Sequence, residues 1–159
     1  MPCWVRPPIG LAKINVDAAM SKNSGQAAAA AVARDEDGNY LGASVLVVAW
    51  QSDREAMGAM ACCEGLALAS DLGLHSFRVA SDCANAVRSL LGEGFARYGP
   101  FVREINVRRS FARADFIFKR QKSNVDTHIL VKSSVNLSIG RLVWFLEPPD
   151  GVCNSYPTE

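Results

Sequence analysis

The sequence lacks any pattern that would hold a structural metal through thiolates. Its five cysteines (Cys3, Cys62, Cys63, Cys83, Cys153) are unevenly spaced, with neither a CxxC nor a Cys/His cluster. That spacing excludes a zinc module, and an odd, scattered set reads as reduced thiols of an intracellular protein, nuclear or cytoplasmic. No apolar run approaches the roughly 20 residues a membrane helix needs, so no membrane association is expected. Residues 1–10 carry Trp4, Arg6 and three prolines in place of the apolar segment of a secretory signal. Charge of one sign is also missing: the formal net charge is +1, so the overall field selects no partner. Aromatics are 8% of the residues, and Trp4, Trp50 and Trp144 are too scattered to form a stacking platform.

What is present is enough apolar material for one core, with 49% hydrophobic residues in a chain of 159. Residues 11–137 read as a single α/β domain, preceded by an extension over 1–10 and followed by an irregular, proline-containing tail over 138–159. Alternation of Leu11, Ile14 and Val16 with Lys13, Asn15 and Asp17 predicts a first strand ending at Asp17. Gln26 to Arg34 and Tyr40 to Trp50, separated by the turn formers Asp35 to Asn39, predict a hairpin. The alanines from Ala27 to Ala31 favour helix by propensity, but the run is short and bounded by Gly25 and the Asp37-Gly38 turn.

A helix capped by Ser52 or Asp53 is expected to run to about Leu72 and stop at Gly73. A strand over 76–80, helices over 82–91 and 100–110, a strand over 114–119 and a last helix from near Ser123 through Val135 complete the order. That order implies a mixed sheet with helices packed on its faces.

Three carboxylates stand out. Asp17 and Asp82 each follow a predicted strand, and strand ends in α/β sheets commonly host ligand sites. Glu64 shares a helix face with Met57, Met60, Ala61, Leu68 and Leu72, where a buried carboxylate needs a partner or a metal. Each has an ordinary alternative: Asp17 could face solvent with Asn15, Glu64 could make a salt bridge, and Asp82 or Ser81 could cap a helix. Converging, the three would form an oxygen-rich site suited to two magnesium ions, or manganese in their place, for phosphodiester hydrolysis.

Several segments together resemble plant ribonuclease H-like domains of the reverse-transcriptase-like type. These are Trp4 with Pro7 and Pro8, Lys13 to Asp17, Arg34 to Gly38, Glu64 to Ala69, Leu72-Gly73, Ser81 to Cys83, and Asn124 to Lys132. The resemblance implies a ribonuclease H-like fold, with a five-stranded mixed sheet flanked by helices, and cleavage of the RNA strand of RNA/DNA hybrids. It assigns Asp17, Glu64 and Asp82 to the metal site and sets His128 at the fourth position, where an aspartate is usual. His128 could act as ligand, proton carrier or structural residue; imidazole suits magnesium less well than a carboxylate. Asp126 lies two residues away, on roughly the opposite side of a helix. The histidine that bacterial members carry before the last helix is missing from Arg120 to Ser123.

Between Phe101 and Lys122, seven basic residues stand against two acidic ones. Arg108, Arg109, Lys119, Arg120 and Lys122 are the expected phosphate contacts, against a solvated helix face as the alternative. Two other functions stay open. One is a catalytically weak or inactive nucleic-acid-binding domain of retroelement origin, suggested by His128. The other is a protein-interaction module using the apolar Val143 to Leu146 segment.

Overall fold

The computed structural model describes residues 4–49, 54–83, 113–119 and 124–153. Six strands form one sheet: β1 (Ala12–Ser21), β2 (Gln26–Arg34), β3 (Tyr40–Ala49), β4 (Ser76–Ser81), β5 (Arg113–Phe118) and β6 (Gly140–Trp144). Their spatial order is β5-β4-β1-β2-β3-β6. The β1-β2, β2-β3 and β3-β6 pairs are antiparallel, whereas β1-β4 and β4-β5 are parallel. Two helices, α1 (Arg54–Asp71) and α2 (Val125–Ser134), pack on it. The helices expected over 82–91 and 100–110 fall largely outside the described residues, and so does the cap expected at Ser52 or Asp53.

The alanine run becomes the central strand. Ala27, Ala29, Ala31 and Ala33 join the core beneath α1, while Ala28, Ala30 and Val32 join a second core with Leu130, Val131 and Val135 of the α2 region. Burial on both faces overrides helix propensity, because short side chains let helices approach the sheet from either side. Two corrections concern strand ends. β1 runs on to Ser21, so Asp17 is mid-strand, but its pairing with β4 stops at the Val16-Ser81 pair. The tail is not wholly irregular: Gly140 to Trp144 adds the sixth strand along β3, and Tyr40 Oη donates to the Trp144 carbonyl at 2.8 Å. Of the apolar segment there, Val143 and Trp144 pack on the cores, while Phe145 and Leu146 are exposed.

The end of α1 matches expectation. Gly73 takes φ +67°, with Leu74 N–H donating to the Ala69 carbonyl and Gly73 N–H to that of Ser70, the paired bonds of a Schellman cap. At the other end of the domain Lys13, almost fully buried, donates from Nζ to the Val5 carbonyl at 2.7 Å and lies 5.5 Å from the Trp4 ring. That contact straps residues 4–8 to β1.

Gly65 fixes how closely α1 sits. A Cβ there would lie 2.8 Å from Val16 Cγ1, itself fully buried against the sheet. Gly65→Ala is therefore expected to lower stability by about 1–3 kcal/mol despite alanine's better helix propensity. Denaturant unfolding checks this, and a stabilised variant would contradict the close packing.

Candidate active site

A cleft of about 480 Å3 opens where β1 outruns β4. β1 contributes Asp17 to Met20, the β1-β2 turn Lys22, the end of β4 Ser81 to Cys83, α2 His128 and Lys132, and α1 Met57, Gly58 and Ala61. Asp17 reaches the cleft because odd-numbered β1 residues face α2, whereas Ile14 and Val16 face α1. Asp82 arrives as the residue immediately after β4. Asp17 and Asp82 thus share one cleft, at the edge of the parallel pairing.

α2 is oriented on this end of β1 by two buried hydrogen bonds. Asn124 Nδ2 donates to the Val16 carbonyl at 2.8 Å, and Thr127 Oγ1 to the Asn15 carbonyl at 3.3 Å. One residue further on, His128 Nδ1 meets Asp17 Oδ2 at 2.9 Å. An ionised carboxylate only accepts, so against it Nδ1 is the donor in that bond. Asp17 Oδ1 accepts from the Ala18 N–H at 2.8 Å, so both oxygens already have partners. Asp126 points elsewhere, in a buried ion pair with Arg34, whose Nη1 also donates to the Gly38 carbonyl at 3.1 Å.

Glu64 is not in the cleft. Buried to 3% exposure, it accepts from Arg141 Nε of β6 at 2.6 Å, and Arg141 Nη2 reaches Asp71 at 2.7 Å. The difference is position along the helix: Glu64 shares a side of α1 with Met57 and Ala61 but lies about 10 Å and about 4.5 Å further along the axis, level with Arg141. The expected salt-bridge alternative is the one the structure adopts. Burial raises the Glu64 pKa above the usual carboxylate range, and Arg141 offsets this only in part. The helix wall that does face Asp17 is Met57, Gly58 and Ala61, with no carboxylate among them.

Among the described residues, this donor set is short of the oxygen ligands that a pair of magnesium ions takes. The cleft offers two carboxylates, and His128 occupies one oxygen of the first. Among the described residues no three His, Cys, Asp or Glu side chains converge as a metal cluster. A thiol nucleophile is no substitute: burial pushes the Cys62 pKa well up, keeping it protonated behind Ser81. Cys83 N–H donates to Ser81 Oγ at 3.1 Å, which steadies the turn carrying Asp82.

Of the expected phosphate contacts, Arg108, Arg109, Arg120 and Lys122 lie outside the described residues. Lys119 immediately follows β5 and donates its backbone N–H to the Ser81 carbonyl at 2.8 Å. The cations that line the cleft are Lys22 and Lys132, which charge clustering along the sequence did not single out; the four-residue spacing of His128 and Lys132 on one helix face was the available signal.

A mixed sheet of this order, with a central helix on one face and a carboxylate-bearing cleft at the β1-β4 edge, defines a ribonuclease H-like protein. A sequence profile of the reverse transcriptase-like family matches residues 15–134, and the chain belongs to that family. Among solved structures it is similar to ribonuclease H1 from the halophilic archaeon Halobacterium salinarum NRC-1, with a TM-score of 0.67 and 19% identity over 79% of this chain and 97% of that one. It is also similar to LC11 ribonuclease H1 in complex with RNA/DNA hybrid, with a TM-score of 0.64 and 18% identity over 79% and 96% of the two chains. The N-terminal ribonuclease H domain of a Mycobacterium tuberculosis protein gives a TM-score of 0.62 at 18% identity, over 79% and 93%. No curated protein matches the chain.

Arg141→Ala would leave the Glu64 carboxylate buried without its cation. A loss of about 2 kcal/mol is expected, below the 3–5 typical of fully buried pairs because the Arg141 side chain is 30% exposed. Arg141→Ala with Glu64→Gln should recover part of it, and denaturant unfolding of the three variants separates the terms. The pH dependence has a definite sign. Folding raises the Glu64 pKa, so this group favours the fold below the ordinary carboxylate pKa, and that contribution is lost as pH rises through the folded value. Glu64→Gln should flatten that decline; an unchanged stability-pH curve would show that Glu64 does not cause it.

Proposed function

We propose that this chain binds RNA/DNA hybrid across the Asp17-Asp82-His128 cleft and that it cleaves the RNA strand weakly or not at all. One observation carries the reading: among the described residues the cleft is lined by two carboxylates and an uncharged α1 wall of Met57, Gly58 and Ala61, where two-metal hydrolysis needs a fuller oxygen shell. The binding half is supported by the family match and by likeness to a fold solved elsewhere with RNA/DNA hybrid bound. Hybrid would be told from pure duplexes in the minor groove, where one strand carries 2′-hydroxyls and the other does not. With a net charge of only +1, affinity rests on local cations and falls as salt rises.

A second reading is a metal-dependent endoribonuclease using magnesium or manganese. Its support is that Asp17 and Asp82 line one cleft, with His128 hydrogen-bonded to the first. There His128 would hold Asp17 in place through Nδ1.

Labelled hybrid decides between them, with binding and cleavage measured with and without each cation. Salt-sensitive binding with little cleavage supports the first reading. Cation-dependent cleavage abolished by Asp17→Asn at unchanged folding establishes the second. Gly58→Glu adds a carboxylate to the neutral wall. If the deficit lies there, this variant should gain a magnesium-dependent rise in Tm that the parent lacks, and at least tenfold more cleavage.

A further inference from the structure

Resting on the reading of the cleft as a nucleic-acid interface, we infer that Lys22 and Lys132 are the residues that hold the backbone of the bound strand, one on each wall. The two come from unrelated elements. Lys22 opens the turn after β1, and Lys132 lies four residues beyond His128, one turn along the same face of α2. Both line the same cleft as Asp17 and Asp82, and both are exposed. Among the described residues neither lysine forms an ion pair or hydrogen bond, with those carboxylates or with anything else.

The electrostatics require such a pair. Two carboxylates in the cleft repel an approaching phosphodiester, and among the described residues α1 lines it with the uncharged Met57, Gly58 and Ala61. Lys22 and Lys132 balance Asp17 and Asp82 one for one, from the rim. A backbone held there spans the cleft from wall to wall above the carboxylates. A flexible ammonium acts as a point charge toward phosphate and reads no base, so this grip is indifferent to sequence. The contacts set affinity, and hybrid selectivity is left to the groove.

The test is equilibrium binding of the full chain to a labelled hybrid over a range of salt concentrations. It compares the parent with Lys22→Gln, Lys132→Gln and the double variant, each checked for an unchanged Tm. Arg6→Gln, an exposed residue that does not line the cleft, controls for net charge. Each lysine variant should bind several-fold more weakly, and each lost phosphate contact should reduce the slope of log affinity against log salt by about 0.9 on duplex. The double variant should lose about twice that, Arg6→Gln little, and Asp82→Asn should bind more tightly than the parent. A double variant matching the parent in affinity and slope, while the parent binds hybrid, overturns this inference and leaves the cleft reading standing. A parent with no salt-sensitive binding overturns the cleft reading itself, and the lysine assignment falls with it.

Discussion

The constraint on which the rest depends is the close contact between α1 and the sheet. Alanines along β2 and a glycine at position 65 remove the atoms that would hold the helix away, and Val16 fills the space left. Once Gly65 faces β1, helical geometry assigns every other residue its direction. Met57, Gly58 and Ala61 reach the cleft, and Glu64, further along the same side of the helix as Met57, meets Arg141 of β6. The chemical character of the site is thus decided by packing several residues away from it.

Buried charge follows a consistent rule across the molecule. Arg34 takes Asp126, Glu64 takes Arg141, and Asp17 takes His128. Each pair joins elements distant in sequence, so desolvation is offset by cross-links that tie α2 to the hairpin, β6 to α1, and α2 to β1. Lys13 instead uses a backbone carbonyl and an aromatic face. The Arg34-Asp126 pair is closed to solvent, whereas Arg141 and His128 keep 30% and 31% side-chain exposure. Fold-level likeness therefore needs the site itself before it says anything of chemistry.

Much of this was legible in the sequence because period and punctuation are local. The hairpin, the helix closed at Gly73, the strand before Asp82 and the helix bearing His128 all follow from alternation, turn residues and caps. Position along the chain placed Asp82 just after β4, whereas Asp17 proved to be mid-strand and shares the cleft because β1 outruns β4. The Glu64-Arg141 pair was not legible, because an acid on an apolar stripe looks the same whether it faces a cation or a metal. Its partner lies 77 residues away in a strand that five exposed or half-buried residues do not announce. Lys22 and Lys132 escaped notice because a cleft gathers isolated charges that a charge count averages away.

The staggered ends of β1 and β4 have one more consequence. Beyond Val16, β1 keeps its β2 neighbour as far as Ser21 but has no strand partner on its other side among the described residues. Ala18, Ala19 and Met20 line the cleft there, so one wall is a short length of open sheet edge. Peptide groups along such an edge offer donors and acceptors at fixed spacing, whatever side chains they carry. For a strand bound as proposed, the main chain itself would meet sugar hydroxyls and phosphate oxygens, and this polar lattice does not depend on which side chains the edge carries.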